Sequence, residues 1–290
     1  LNKYILHNRS ILFSSHDEVK KFLEKRSIEN SKKHQQPATL NVKSNLDKLT
    51  LNDMQVFRFN FRHEKNQKIL YLHGGYNTLQ PSPFHWRLLD KLTLNTLHEV
   101  VLPIYPKSPD YHYLETFKAI RDVYNQLVEE VGANNIVMMG DGSGGGLALS
   151  FVQSLINDNQ EVPRKLFLLS PLLDATLTNP NITKTLEEND ILVSRFGVHQ
   201  LMKSWANDLP LSDARISPLC GTLKGLPPIY MYGGGREILS PDMHAFTHAL
   251  EECGNDVEFK EYPKMVHDFP IYPIRQSHKV LKHITKSILE

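Results

Sequence analysis

Residues 136–156 read Ile136-Val-Met-Met-Gly-Asp-Gly-Ser143-Gly-Gly-Gly-Leu147-Ala-Leu-Ser-Phe151-Val-Gln-Ser-Leu155-Ile156, and their order decides the fold. Four apolar residues at 136–139 predict a short buried strand. Leu147, Ala148, Phe151, Val152, Leu155 and Ile156 then recur at helical spacing on one face. Between them lies a turn with four glycines and one serine, Gly140-Asp-Gly-Ser-Gly-Gly145. Strand, tight glycine turn, serine, helix is the context of a nucleophile elbow, in which strand and helix pass too closely for side chains and the serine stands at a helix N-terminus. A phosphate-binding loop is the rival for any glycine-rich turn, but it needs a Gly-Lys-Ser/Thr ending that is missing here.

Working outward, short apolar runs recur at 68–72, 99–102, 166–169, 229–232 and 257–262, and residues 55–61 alternate as a half-buried strand does. Helical stretches separate most of them, such as 114–131, 147–156 and 243–252. The expected class is α/β: a mostly parallel central sheet with helices on both faces. Chemistry in such sheets sits beyond the carboxyl ends of the strands. There the chain places His73-Gly-Gly-Tyr76, Gly233-Gly-Gly-Arg-Glu237-Ile-Leu239 with Asp242 nearby, and Val266-His267-Asp268-Phe269. A serine nucleophile needs a base and an acid that orients the base, and the order Ser143, acid, His267 is the one this architecture uses. Glycines after the 68–72 strand suit backbone N–H groups turned towards an oxyanion.

The rest of the chain bounds the reading. The 290 residues are 40% hydrophobic and 22% charged with a formal net charge of +1. A large core is therefore expected, with no global field for nucleic acid. Cys220 and Cys253 form no metal-binding pattern and are expected as two buried thiols. No apolar run reaches the roughly 18 residues of a membrane span. The chain begins at Leu1, which leaves an upstream signal or anchor segment open. The expected location is the cytoplasm or its membrane surface. Residues 1–52 are expected as a helical cap segment opened by the capping box Ser15-His-Asp-Glu18, with Lys20, Lys21, Lys25 and Arg26 on a polar face read as solvated, membrane-surface contact being the alternative. Residues 53–290 form the main domain, interrupted by a cap insertion at about 171–218. Phe84, Trp86, Phe196, Met202 and Trp205 flank the expected site and are candidates for its apolar wall.

From residue 66 onward the chain resembles the hormone-sensitive-lipase-like α/β-hydrolases, especially bacterial acetyl esterases and carboxylesterases. The resemblance rests on His73-Gly-Gly, the 140–145 turn, Ser170-Pro-Leu-Leu-Asp174, Ser217-Pro-Leu-Cys-Gly221, Leu226-Pro-Pro228 and Gly-Gly-Arg-Glu-Ile-Leu239. It implies the α/β-hydrolase fold with a helical cap, hydrolysis of short- to medium-chain carboxylic esters, and neither metal nor organic cofactor. It implies Glu237 as the acid, His267 as the base, and Gly74, Gly75 and Gly144 as oxyanion donors. One letter departs from the family's Gly-Asp-Ser-Ala-Gly-Gly, because Gly142 stands where the serine belongs and Ser143 follows it. Either the glycines absorb a one-residue shift and Ser143 attacks, which the otherwise complete machinery favours, or Gly142 holds the nucleophile position. The second case gives a catalytically impaired small-molecule-binding protein on the same scaffold.

Overall fold

The computed structural model describes residues 15–60 and 67–290. Phe61 and the first fourteen residues of the N-terminal segment lie outside the described residues. Strands β1 (Asn45–Leu51), β2 (Met54–Asn60), β3 (Lys68–Leu72), β4 (Glu99–Pro103), β5 (Ile136–Asp141), β6 (Lys165–Leu169), β7 (Ile229–Gly234) and β8 (Val257–Tyr262) form one sheet in the order β1-β2-β4-β3-β5-β6-β7-β8. The β1–β2 and β2–β4 pairs are antiparallel, and the other five are parallel.

Every residue of β3 and β5 is buried, as parallel strands covered on both faces require. The helices α1 (His16–Asn30), α2 (Pro83–Thr96), α3 (Tyr113–Val131), α4 (Gly142–Asn157), α5 (Lys184–Asn189), α6 (Arg195–Ala206), α7 (Ser240–Glu252) and α8 (Arg275–Leu289) flank the sheet or build the cap. The last of them turns Val280, Leu281, Ile284 and Ile288 inward at helical spacing and packs against α2.

Two features differ from the sequence reading. Residues 45–51 are a strand, although they fall in the stretch read as helical cap. This edge strand is almost wholly exposed and lacks a hydrophobic stripe. It exists because Asn52 and Asp53 take φ of 47° and 65° and close a two-residue hairpin onto β2. Cys220 and Cys253 are free and exposed, not buried. One ends a surface 3₁₀ turn and the other follows the last turn of α7.

Helix α1 begins as its capping residues predict, with the Glu18 N–H donating to Ser15 Oγ at 3.3 Å. Its Val19 packs on Leu201 of α6, with Phe22, Leu23, Phe196, Tyr76 and Leu79 around them. Lys20, Lys21 and Lys25 face outward. No described helix is long and apolar enough to cross a membrane.

Candidate active site

The carboxyl ends of β3, β5, β7 and β8 converge on a cavity of about 140 Å³. Its wall includes Gly74, Gly75, Tyr76, Ser143, His267 and Asp268, and apolar side chains close it. From residues 171–218 come Leu172, Leu192, Val193 and Val198. Of the five large side chains expected here, Phe84 lines the cavity, whereas Trp86, Met202 and Trp205 are buried in the core. Phe196 packs on α1.

The structure brings His267 and Glu237 together. His267 Nδ1 lies 2.7 Å from Glu237 Oε2. The other Glu237 oxygen accepts from the Gly234 N–H at 2.5 Å and from Ser170 Oγ at 2.8 Å. Ser170 Oγ in turn accepts the Asp268 N–H at 3.1 Å, so one hydroxyl joins the acid turn to the histidine loop. Asp242, the rival acid, accepts from Asn179 Nδ2 at 2.9 Å and makes no bond to His267. Burial, and then Asp174, push its carboxyl up to about 6.

On the far side of the imidazole, Nε2 lies 3.1 Å from Asp268 Oδ2. Burial disfavours a charged His267, but Asp268 first and Glu237 second outweigh it, and the ring is held protonated well above its ordinary range. Asp268 itself sits in left-handed backbone at φ 52° with Oδ1 unpartnered. Burial, together with Asp141 and Glu237, pushes its carboxyl up to about 6.

The nucleophile side is built differently. Gly142 has φ +51°, a conformation that a residue with a β-carbon adopts only under strain. A β-carbon built on it would stand 3.2 Å from Asp268 Oδ2 and 3.5 Å from His267 Nε2. Ser143 is the next residue, already within α4, and its Oγ accepts the Asn77 N–H at 3.1 Å. Among the described residues no hydrogen bond joins Ser143 to His267. At Gly144 the strand-to-helix approach is so close that a β-carbon would collide with the carbonyls of Leu72 and His73.

Asp141, the last residue of β5, anchors the glycine loop after β3. It accepts from Tyr71 Oη at 2.6 Å and from His85 Nε2 at 3.0 Å. Burial opposes its charge, but His85, Tyr71 and the Gly74 N–H outweigh burial and hold it below the usual carboxylate range. The Gly74 amide is thus engaged with Asp141, while Gly75, at φ +113°, turns the loop into the cavity.

Sequence reading also missed Asp190. Its Oδ1 accepts the N–H groups of Leu192 and Val193, and its Oδ2 accepts that of Ile238, each at 2.9 Å. It therefore ties the cap to the turn that carries Glu237. Only the acidic residue itself was visible in the sequence, 48 positions away from Ile238.

A profile of the alpha/beta hydrolase fold matches residues 69–271. The chain belongs to the α/β-hydrolase family. This hydrolase is 33% identical over 208 residues to an esterase of Acinetobacter venetianus, covering 71% of this chain and 68% of that protein. It is 29% identical over 221 residues to a triacylglycerol lipase of Mycobacterium tuberculosis, and there the chain spans 46% of the relative's length. A crystal structure of a candidate esterase from Staphylococcus aureus superposes with a TM-score of 0.98 at 64% identity, over 100% of this chain and 98% of that one. An esterase of the bacterial hormone-sensitive lipase family shares the fold, with a TM-score of 0.85 at 20% identity over 99% and 96% of the two chains. The family is one of carboxylic ester hydrolases, and this member is of the esterase and lipase type.

Proposed function

We propose that this α/β-hydrolase cleaves carboxylic esters of short to medium acyl chain in the cavity above His267. The observation that carries the reading is the 2.7 Å bond between His267 Nδ1 and Glu237 Oε2 at the end of an apolar pocket. A carboxylate on Nδ1 fixes the tautomer and steadies the imidazolium, which leaves Nε2 to move protons at the reacting centre. Gly74, Gly75 and the N–H groups at the start of α4 are the proposed oxyanion donors, of which Gly75 is favoured because the Gly74 amide is drawn to Asp141. The acyl chain would lie along Leu192, Val193 and Val198, and the modest cavity suits a short chain.

In the shifted register Ser143 attacks, after its hydroxyl turns from Asn77 to His267, and Gly144 supplies a donor. A second reading is favoured by Gly142: φ +51° and a β-carbon position facing Nε2 are what a nucleophile's seat requires. In that register no acyl-serine forms, and the pocket retains a small apolar ligand.

Turnover of p-nitrophenyl acetate, butyrate, hexanoate and decanoate tests the proposal. The expected outcome is hydrolysis that favours the shorter chains and is abolished by His267→Ala. A wild-type protein inert to the whole series, yet binding the hexanoate ester tightly, would leave the ligand-binding reading standing.

A further inference from the structure

The seat beside His267 is lined by a carboxylate as well as by the imidazole. The point where Gly142 would carry a β-carbon is 3.2 Å from Asp268 Oδ2, 3.5 Å from His267 Nε2 and 3.7 Å from His267 Cε1, the three nearest heavy atoms outside its own stretch of chain. That point is one bond from Cα, so a free oxygen stands farther out over the glycine, in the space a side chain would fill and on the side that both groups face. Asp268 is fixed there by its N–H to Ser170 Oγ, and its second oxygen has no partner.

We propose that Asp268 is a catalytic base, and that a water molecule seated over Gly142 between Asp268 and His267 attacks the ester carbonyl directly, with no covalent enzyme intermediate. The proposal rests on the ester-hydrolase reading. The water oxygen bonds to the acyl carbon as Asp268 takes its proton, and the carbonyl pair moves onto the oxyanion held by backbone N–H groups. Collapse restores the carbonyl and breaks the bond to the alcohol oxygen, which takes its proton from His267 Nε2. The proton on Asp268 then passes across 3.1 Å to His267, and ester plus water has become acid plus alcohol.

The charges suit these roles. Asp268, pushed up to about 6, is a base matched to near-neutral pH, and His267 starts protonated, as an acid must. The titratable groups facing the pair come from several sides: Asp141 from β5, Tyr71 from β3, His85 from α2, Glu237 from the turn after β7, Asp190 beside His267, and Tyr76 and Tyr272 around the pocket.

The test uses the intact protein with p-nitrophenyl and phenyl butyrate. After incubation with a fluorophosphonate, turnover should continue and the intact mass should be unchanged. With methanol added, the ratio of methyl butyrate to butyrate should differ between the two leaving groups. Asp268→Asn should lower kcat by about 100-fold or more, with KM moving less than about threefold, and should remove the acid limb of kcat near pH 6. A fluorophosphonate adduct on Ser143, one shared partition ratio, or an Asp268→Asn variant that keeps more than half its kcat would each overturn the proposal while leaving esterase activity intact. A wild-type protein inert to both esters would overturn this proposal and the ester-hydrolase reading together.

Discussion

The two halves of the site are held by different kinds of bond. The acid–base half, after β7 and β8, is a net of side chains: Glu237, Ser170, His267 and Asp268 are linked by contacts of 2.7–3.1 Å. The nucleophile half, between β5 and α4, is backbone, with glycine at the seat and a serine hydroxyl bonded elsewhere. Side-chain nets fix charge, and glycine turns fix shape. If the attacking position is Gly142, a site with both keeps its proton-handling groups although that position carries no side chain.

The largest expected effect comes from breaking the net. Glu237→Gln should lower kcat by roughly 10²–10⁴, because Nδ1 loses the carboxylate that orients and charges the ring. Stopped-flow assay with p-nitrophenyl butyrate measures it, and a loss below tenfold would remove Glu237 from the mechanism. Next, Gly142→Ser adds a side chain to the backbone half. A fluorophosphonate adduct should then appear at residue 142 by intact-mass and peptide mapping. The serine must adopt φ near +51°, so thermal unfolding should register a cost of about 1–3 kcal/mol. A variant that neither labels nor destabilises would mean that the seat is elsewhere.

How much of this was legible in the chain follows from what each residue depends on. β3, β5 and β6 were readable because burial on both faces leaves nearly continuous apolar runs. β1 was not, since its polar residues pair only through the Asn52-Asp53 turn and an exposed ladder. His267 stood out by its place after the last strand, whereas Glu237 was singled out from Asp242 by the family resemblance, and the structure brings Glu237 and His267 within 2.7 Å. Asp268 was seen only as a neighbouring carboxylate, because its approach to the open side of Gly142 joins residues far apart in the chain and goes with its own left-handed φ. The one-residue ambiguity of the elbow was plain in the letters, but the backbone angle that bears on it was not.

The smallest expected effect on turnover is at Asp242, a carboxylate outside both halves. Asp242→Asn should leave kcat within about twofold while changing how stability depends on pH. The folded carboxyl titrates at about 6 against roughly 3.9 when unfolded, so the folded state holds the proton more tightly. That contribution is present in full below pH 4 and is lost as the pH rises through 6. Removing the carboxyl should flatten this fall, by an amount on the order of 2–3 kcal/mol between pH 4 and 7. Denaturant melts at five pH values measure it, and parallel curves for the two proteins would contradict the assignment.

Asp190 gives the cap a role beyond covering. Its two oxygens grip Leu192 and Val193, which touch the cavity, and Ile238, which adjoins Glu237. One carboxylate thus ties the roof of the pocket to the turn behind Glu237, so the two are expected to loosen together if it is lost.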